Sequence, residues 1–453
     1  MRSPISRRAV FRRALRAAAV LGAAPLLGAC QTTATAPAVT PATVPPAAAG
    51  APAAEKSTGA ALVYLNQSRG QAKALETLAD KYLAQSGVKV TIDSPGPTDY
   101  PKKLQAASQA GNMPDTFYAV GPSDMAPYYK AGWAMNLAPE LDKGWKSSFS
   151  PAALKLSAWR DGNPAGVPAG IYSVPWEVTS YAVLYNPAHF EKAGVDPKAA
   201  PATMTDFITA LKKIKAAGIG PFLVAAEIVP RLIQSHASNW LTDDEIEATH
   251  TGQASWKVDG WRRGLQLFEE LRDAGVLFND ALPTGNVTNP NMEKSFFNVQ
   301  ELACFYTGTF SVGVQRTTAP DFTSFASFPL PKAADGKIEP RAYGGPGKSG
   351  VVNAKGPHTV EALAFLKWLT DTPQAAFFMT EVPLVPANPA ALDPKKVSPQ
   401  IAGFAALLDK IQIVPTDSTA QVNEVLTKGA QSIVLKEKSV DQVLDEVEQA
   451  QKG

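Results

Sequence analysis

Three observations predict an α/β protein with more than one core-forming unit. The chain has 453 residues, more than a single hydrophobic core usually serves. With 45% hydrophobic and 19% charged residues it is too apolar for general disorder. From Ala60 onward, short apolar runs alternate with amphipathic helical patterns, starting with a strand, a helix and a strand. That order is a βαβ unit and implies parallel strands.

The elements follow in order. Ala61 to Leu65 reads as a buried strand. Gln71 to Gln85 sets Ala72, Leu75, Leu78, Ala79, Tyr82 and Leu83 on one helical face and stops at Gly87, and Val88 to Ile92 is the second strand. A helix at Lys102 to Ala110 leads into the run Asp115 to Val120. Tyr181 to Tyr185 is another strand. Thr205 can cap a helix in which Phe207, Leu211 and Ile214 share a face while Lys212, Lys213 and Lys215 stay in water. Trp261 to Ala274 is amphipathic through Leu265, Phe268 and Leu271, and Phe305 to Val314 and Phe322 to Leu330 read as extended. His358 to Asp371 is helical, with Val360, Leu363, Leu366 and Leu369 inward, and Thr372-Pro373 restarts a helix through Phe378. Ser439 and Gln442 form a capping-box pattern for a last helix bearing Val440, Val443, Leu444 and Val447.

The ends and the charge balance narrow the function. Lys plus Arg is 43 against 41 Asp plus Glu, but six of the arginines lie in the first 29 residues, where there is no acid. Without that stretch, 37 bases face 41 acids, and a mildly acidic body offers no footprint for nucleic acid. The basic start runs into apolar Ala17 to Leu27, long enough for a signal core and too short to span a bilayer. It ends in Leu27-Gly28-Ala29-Cys30, which resembles a bacterial lipobox and implies lipidation of Cys30. Ser6-Arg7-Arg8-Ala9-Val10-Phe11 resembles a twin-arginine signal with the Phe one place late, so both export routes stay open. From Gln31 to Thr58, 21 of 28 residues are Ala, Thr or Pro, the composition of a semi-extended spacer. Cys304 reads as a small buried hydrophobe, and four scattered histidines suggest no metal site.

The order of several segments carries a family resemblance. Gly111-Asn112-Met113-Pro114-Asp115, Ala131-Gly132-Trp133, Tyr172 to Thr179 and Tyr185-Asn186-Pro187 follow one another. Gly308-Thr309-Phe310, Gly344-Gly345 before Val351-Val352-Asn353, and Thr370 to Ala376 complete the series. Taken together, over about Ala60 to Gln449, the chain resembles the family 1 extracellular solute-binding proteins, the maltose-binding-protein-like receptors of ABC importers. The resemblance implies an α/β fold of the two-lobed periplasmic-binding-protein type (type II) with a ligand cleft between the lobes. It implies crossings near Tyr172 to Thr179, Phe322 to Pro331 and Thr370 to Pro383. The expected organisation is a signal peptide with lipobox at 1–29, a linker at 30–59, lobe I from 60–172 plus 322–370, and lobe II from 173–321 plus 371–453. The implied function is a sugar-capturing lipoprotein on the outer face of the cytoplasmic membrane. It would be a monomer that delivers its ligand to ABC permease subunits, with no cofactor and no bond-making step.

A neutral sugar needs aromatic faces to stack on and polar side chains for its hydroxyls. Strand ends and loops supply candidates: Asn66, Gln67, Ser123, Asp124, Trp176, Glu177, Asn239 and Trp240. Phe310 falls on the family's aromatic position and Glu177 on one that contacts a sugar hydroxyl. Tyr343, Gly344 and Gly345 would let backbone approach a ligand. Trp133 and Trp368 read as core, and Asp115 as a structural residue at a strand start. An exported carbohydrate-active hydrolase and a sugar-sensing lipoprotein are the alternatives. The first would have to draw its carboxylates from Asp243, Asp244, Glu245 and Glu247, which cluster on one stretch, or from a pair the sequence does not single out. Ala342 to Ser349 fits a relaxed phosphate-loop pattern in the wrong context, with a strand following where a helix is required.

Overall fold

In the computed structural model the described residues are 59–452, apart from 97–98, 120–121, 164, 281, 283–288 and 383. The expected signal peptide, Cys30 and nearly all of the linker lie outside them. Among the described residues no helix is long and apolar enough to cross a membrane.

The first α/β half is built on a five-stranded sheet. Ala61–Leu65 pairs in parallel with Lys89–Asp93 on one side and with Thr116–Ala119 on the other. Ser349–Val352 then joins antiparallel to Thr116–Ala119, and Val174–Pro175 closes the edge. The parallel sheet expected from the opening βαβ unit is therefore mixed, because a distant segment returns to complete it. Helix Arg69–Ser86 ends at Gly87, whose φ of 76° is left-handed and suits a residue without a Cβ.

The second half hangs from one long strand, Glu177–Tyr185, which starts directly after Val174–Pro175 leaves the first sheet. It pairs antiparallel with Leu302–Gly308 and Ala326–Phe328, and Gly220–Val224 lies parallel beyond Leu302–Gly308. Nearer its start, the same strand pairs with Gly344–Pro346 and Val385–Pro386. Leu302–Gly308 is wholly buried, as a strand covered on both faces should be.

Several expectations are corrected. The segment around Phe322 to Leu330, expected in the first lobe, contributes Ala326–Phe328 to the second sheet. Helix Thr372–Glu381, expected in the second lobe, packs on Arg69–Ser86 and Thr359–Leu369 of the first. The cap of helix Met204–Ala216 is Thr203, in a reciprocal capping box with Asp206, and Thr205 is already inside the helix. Phe310–Thr318 is helical, so only the front of the extended run ending at Val314 is strand. Other expectations hold: Ser439 and Gln442 exchange both capping bonds, and Asp115 accepts from the Val63 amide at 2.8 Å. Trp133 and Trp368 pack against the core, and Cys304 is buried with its thiol pKa pushed up by that burial.

Candidate functional site

The two halves meet where helix Arg69–Ser86 faces helix Phe310–Thr318. A Cβ built on Gly70 would lie 3.5 Å from the Gly313 carbonyl oxygen, which is van der Waals contact. Around this junction the structure gathers charged and aromatic groups from segments far apart in sequence.

The inner part is an ion-paired network. Glu177 and Lys348 form a buried salt bridge at 2.7 Å, with side-chain exposures of 3% and 13%. Gln71 donates to the other Glu177 oxygen at 2.7 Å and accepts from the Trp176 indole at 3.1 Å. Burial is the largest single effect and would lower the Lys348 pKa, but the Glu177 carboxylate together with the Tyr118 and Tyr181 hydroxyls outweighs it and the net shift is upward. Gly347 makes this approach possible, since a Cβ there would sit 2.6 Å from Glu177 Cγ. A helix residue of the first half is thereby bonded to the strand that carries the second.

The outer part is aromatic and only half-buried. The Tyr181 ring lies edge-on to Phe310 at 6.1 Å and to Tyr343 at 5.4 Å. Lys348 Nζ stands 6.0 Å from the centre of the Phe310 ring, and the Arg231 guanidinium 5.5 Å from that of Tyr343. Tyr343 donates its hydroxyl to Asp417 at 3.0 Å, and its pKa is raised by burial and then by that carboxylate. A ring face flanked by charged hydrogen-bonding groups can hold a polar ligand with an apolar face.

The sequence candidates divide on this map. Glu177, Phe310 and Tyr343 come together, and Gly344 and Gly345 lie beside them, paired with Ser180 and Thr179. Trp176 does not offer a platform: it is 1% exposed, stacked on Phe378 and set edge-on to Tyr64 and Tyr118. Asn66 is fully buried and spends its amide on the Ser68 carbonyl and Ser94, fixing the turn after the first strand. Asn239 is likewise buried, accepting from the Ala333 amide and donating to the His236 carbonyl. Trp240 is half-buried, with Arg263 over its ring. Gln67 is half-buried, Asp124 is exposed in the first turn of helix Pro122–Lys130, and Ser123 shares that turn.

The sequence reading missed Gln71, Tyr181, Arg231, Lys348 and Asp417. Each sits inside a pattern assigned to structure: Gln71 at a helix start, Tyr181 on a strand, Arg231 in helix Val229–Ala237. Lys348 belonged to the discounted phosphate-loop pattern, whose residues form strands Gly344–Pro346 and Ser349–Val352. The one available signal was a lysine between glycines directly before an apolar strand.

The acidic cluster of the hydrolase alternative is engaged in structure. Thr242 and Glu245 make a capping box, Asp243 pairs with Arg341 and accepts from the Ile413 amide, and Glu247 binds Arg160 and Thr416. Among the described residues no cluster of potential metal ligands is found.

Two α/β halves that exchange strands, with a charged aromatic face where they meet, make up a two-lobed α/β fold. The chain belongs to the bacterial extracellular solute-binding protein family, whose model matches residues 66–376. It is 28% identical over 249 residues to a probable sugar-binding periplasmic protein of Mesorhizobium japonicum, a match covering 54% of this chain and 50% of that one. The matched stretch thus spans about half the length of that curated relative. An ABC transporter solute-binding protein of Thermotoga lettingae, solved with α-D-tagatose, aligns with a TM-score of 0.69 at 17% identity, covering 87% of this chain and 99% of that one. A probable secreted solute-binding lipoprotein of Streptomyces coelicolor aligns with a TM-score of 0.68 at 21% identity, covering 87% and 98%. These structures share the fold.

Proposed function

We propose that this protein is an exported, lipid-anchored receptor that captures a sugar or oligosaccharide between its two halves and delivers it to ABC permease subunits in the membrane. The observation that carries the reading is the half-buried aromatic group Tyr181, Phe310 and Tyr343, set between the Lys348–Glu177 pair and the Arg231 and Asp417 side chains. Sugar rings stack on such faces, and their hydroxyls take the neighbouring charged donors and acceptors. Membership in a solute-binding family and the sugar-binding relative support the same ligand class. Gln71 bonding to Glu177 gives a route by which ligand contacts near Lys348 would bias one arrangement of the halves. The lipobox-like ending at Cys30 and the Ala/Thr/Pro-rich stretch after it supply the anchor and spacer.

The mechanism contains no covalent step. The ligand binds, stabilises the arrangement in which both halves contact it, and leaves unchanged. A thermal-shift screen over a panel of mono- and oligosaccharides tests the ligand class, because a ligand bound only by the folded protein raises its midpoint. A clear rise with one family of sugars is expected, and a flat panel would defeat the assignment.

A further inference from the structure

Beside the aromatic group, the second half holds a cavity of about 390 Å³. Its walls come from segments 200–202, 329–332, 339–342 and 406–407 with Lys410, together with Ser235, Asn239 and Tyr181, the last shared with the aromatic group. All of its lining residues lie in the second half, so it is distinct from the junction between the halves. Its volume falls in the range of small-molecule pockets, about 300–1,000 Å³.

The lining has a definite chemistry. Lys332, Arg341 and Lys410 contribute three cations against the single carboxylate of Glu339. Lys410 is paired with Glu339 at 2.6 Å, while Lys332 has no ion-pair partner among the described residues. Arg341 Nε is ion-paired with Asp243 Oδ2 at 3.3 Å without the alignment of a hydrogen bond, and its side chain is 38% exposed. Ser235 is 4% exposed and its Oγ accepts from the Tyr306 hydroxyl and the Tyr343 amide. The unpaired Lys332 ammonium and the poorly aligned Arg341 Nε can both take a bound acceptor.

The remaining wall is apolar, with Pro329, Leu330 and Leu407 prominent. It offers nothing to the many hydroxyls of a polyol, whose unpaired groups would be penalised there. A single anionic acceptor on an apolar skeleton satisfies the spare donors, the net positive charge and the apolar wall together. We infer that this cavity is a second binding site, separate from the solute site, for a small organic carboxylate with an apolar body.

Calorimetric titration of the purified protein tests this with phenylacetate, 3-phenylpropanoate and octanoate, each beside its neutral amide. At least one carboxylate is expected to bind with one site per chain, and its amide at least tenfold more weakly. Lys332→Met should weaken the carboxylate at least fivefold while leaving the amide unchanged. Ala202→Trp, which fills the cavity from its rim, should abolish binding of both. If that variant folds poorly, the Lys332→Met comparison decides alone. Absence of binding across the panel, equal affinity for acid and amide, or undiminished binding by Lys332→Met would each overturn the assignment.

Discussion

Replacing Lys348 by methionine isolates the pair that ties the crossing strand to the first half. The variant keeps an unbranched apolar stem but leaves the Glu177 carboxylate, 3% exposed, without its counter-ion. Breaking a buried pair by removing one partner costs about 3–5 kcal/mol. Gln71 still donates to Glu177 at 2.7 Å, which places the loss near the lower end, about 3 kcal/mol. At roughly 2–4 °C per kcal/mol for a unit of this size, the melting midpoint should fall by about 6–12 °C. Adding Glu177→Gln removes the orphaned charge and keeps an acceptor for Gln71. The double variant should therefore lose only about 1 kcal/mol, about 2 kcal/mol less than Lys348→Met alone and well below the sum of the two single variants in the double-mutant cycle. Calorimetry on the four proteins reads this directly. Additive effects, or a Lys348→Met midpoint within a degree of the parent, would refute the argument that this charge is buried and paired. The pH dependence has a definite sign. Because the Lys348 pKa in the folded protein is raised above 10.5, its contribution is complete below that value and is lost as pH rises beyond it. Parent and Lys348→Met midpoints should thus converge in alkaline buffer.

Further outcomes follow from the same contacts. Trp176→Ala removes a ring packed among Tyr64, Tyr118 and Phe378 and should cost about 3–5 kcal/mol in denaturant unfolding, a stability effect before any effect on ligand. Phe310→Ala and Tyr343→Ala should each weaken binding of the sugar found by screening about tenfold, about 1.4 kcal/mol, in calorimetric titration with the fold retained. His236 is buried, with its pKa lowered to about 4 from 6.5, chiefly by that burial. A base depressed in the folded state stabilises above its unfolded pKa, so the protein should lose up to about 3 kcal/mol between pH 6.5 and 4. His236→Gln should flatten that part of the stability profile.

The fold was legible in the sequence wherever local signals and tertiary structure agree. Gly87 and Gly111 stop the first two helices, and the apolar run at 61–65 and the front of the run at 305–314 become strands. What local patterns could not supply was partnership. Nothing in Ala326–Phe328 or Thr372–Glu381 distinguishes one half from the other, because that choice is made by contacts with segments more than a hundred residues away. The binding face shows the same limit. Tyr343 sits next to Gly344 and Phe310 falls in a segment that carries the family resemblance, so both are recognisable, whereas Trp176 reads as a ligand residue because an aromatic near a crossing looks available. It is buried because Phe378, two hundred residues later, covers its face. Gln71, Arg231 and Asp417 matter only through neighbours supplied by other segments.

The most direct test of the account is long incubation of the protein with each carbohydrate that raises its midpoint, following bound ligand by titration and new reducing ends by chemical assay. Saturable one-to-one binding with the sugar recovered unaltered is the predicted result. Steady accumulation of new reducing ends, or a panel in which no carbohydrate binds, would contradict it.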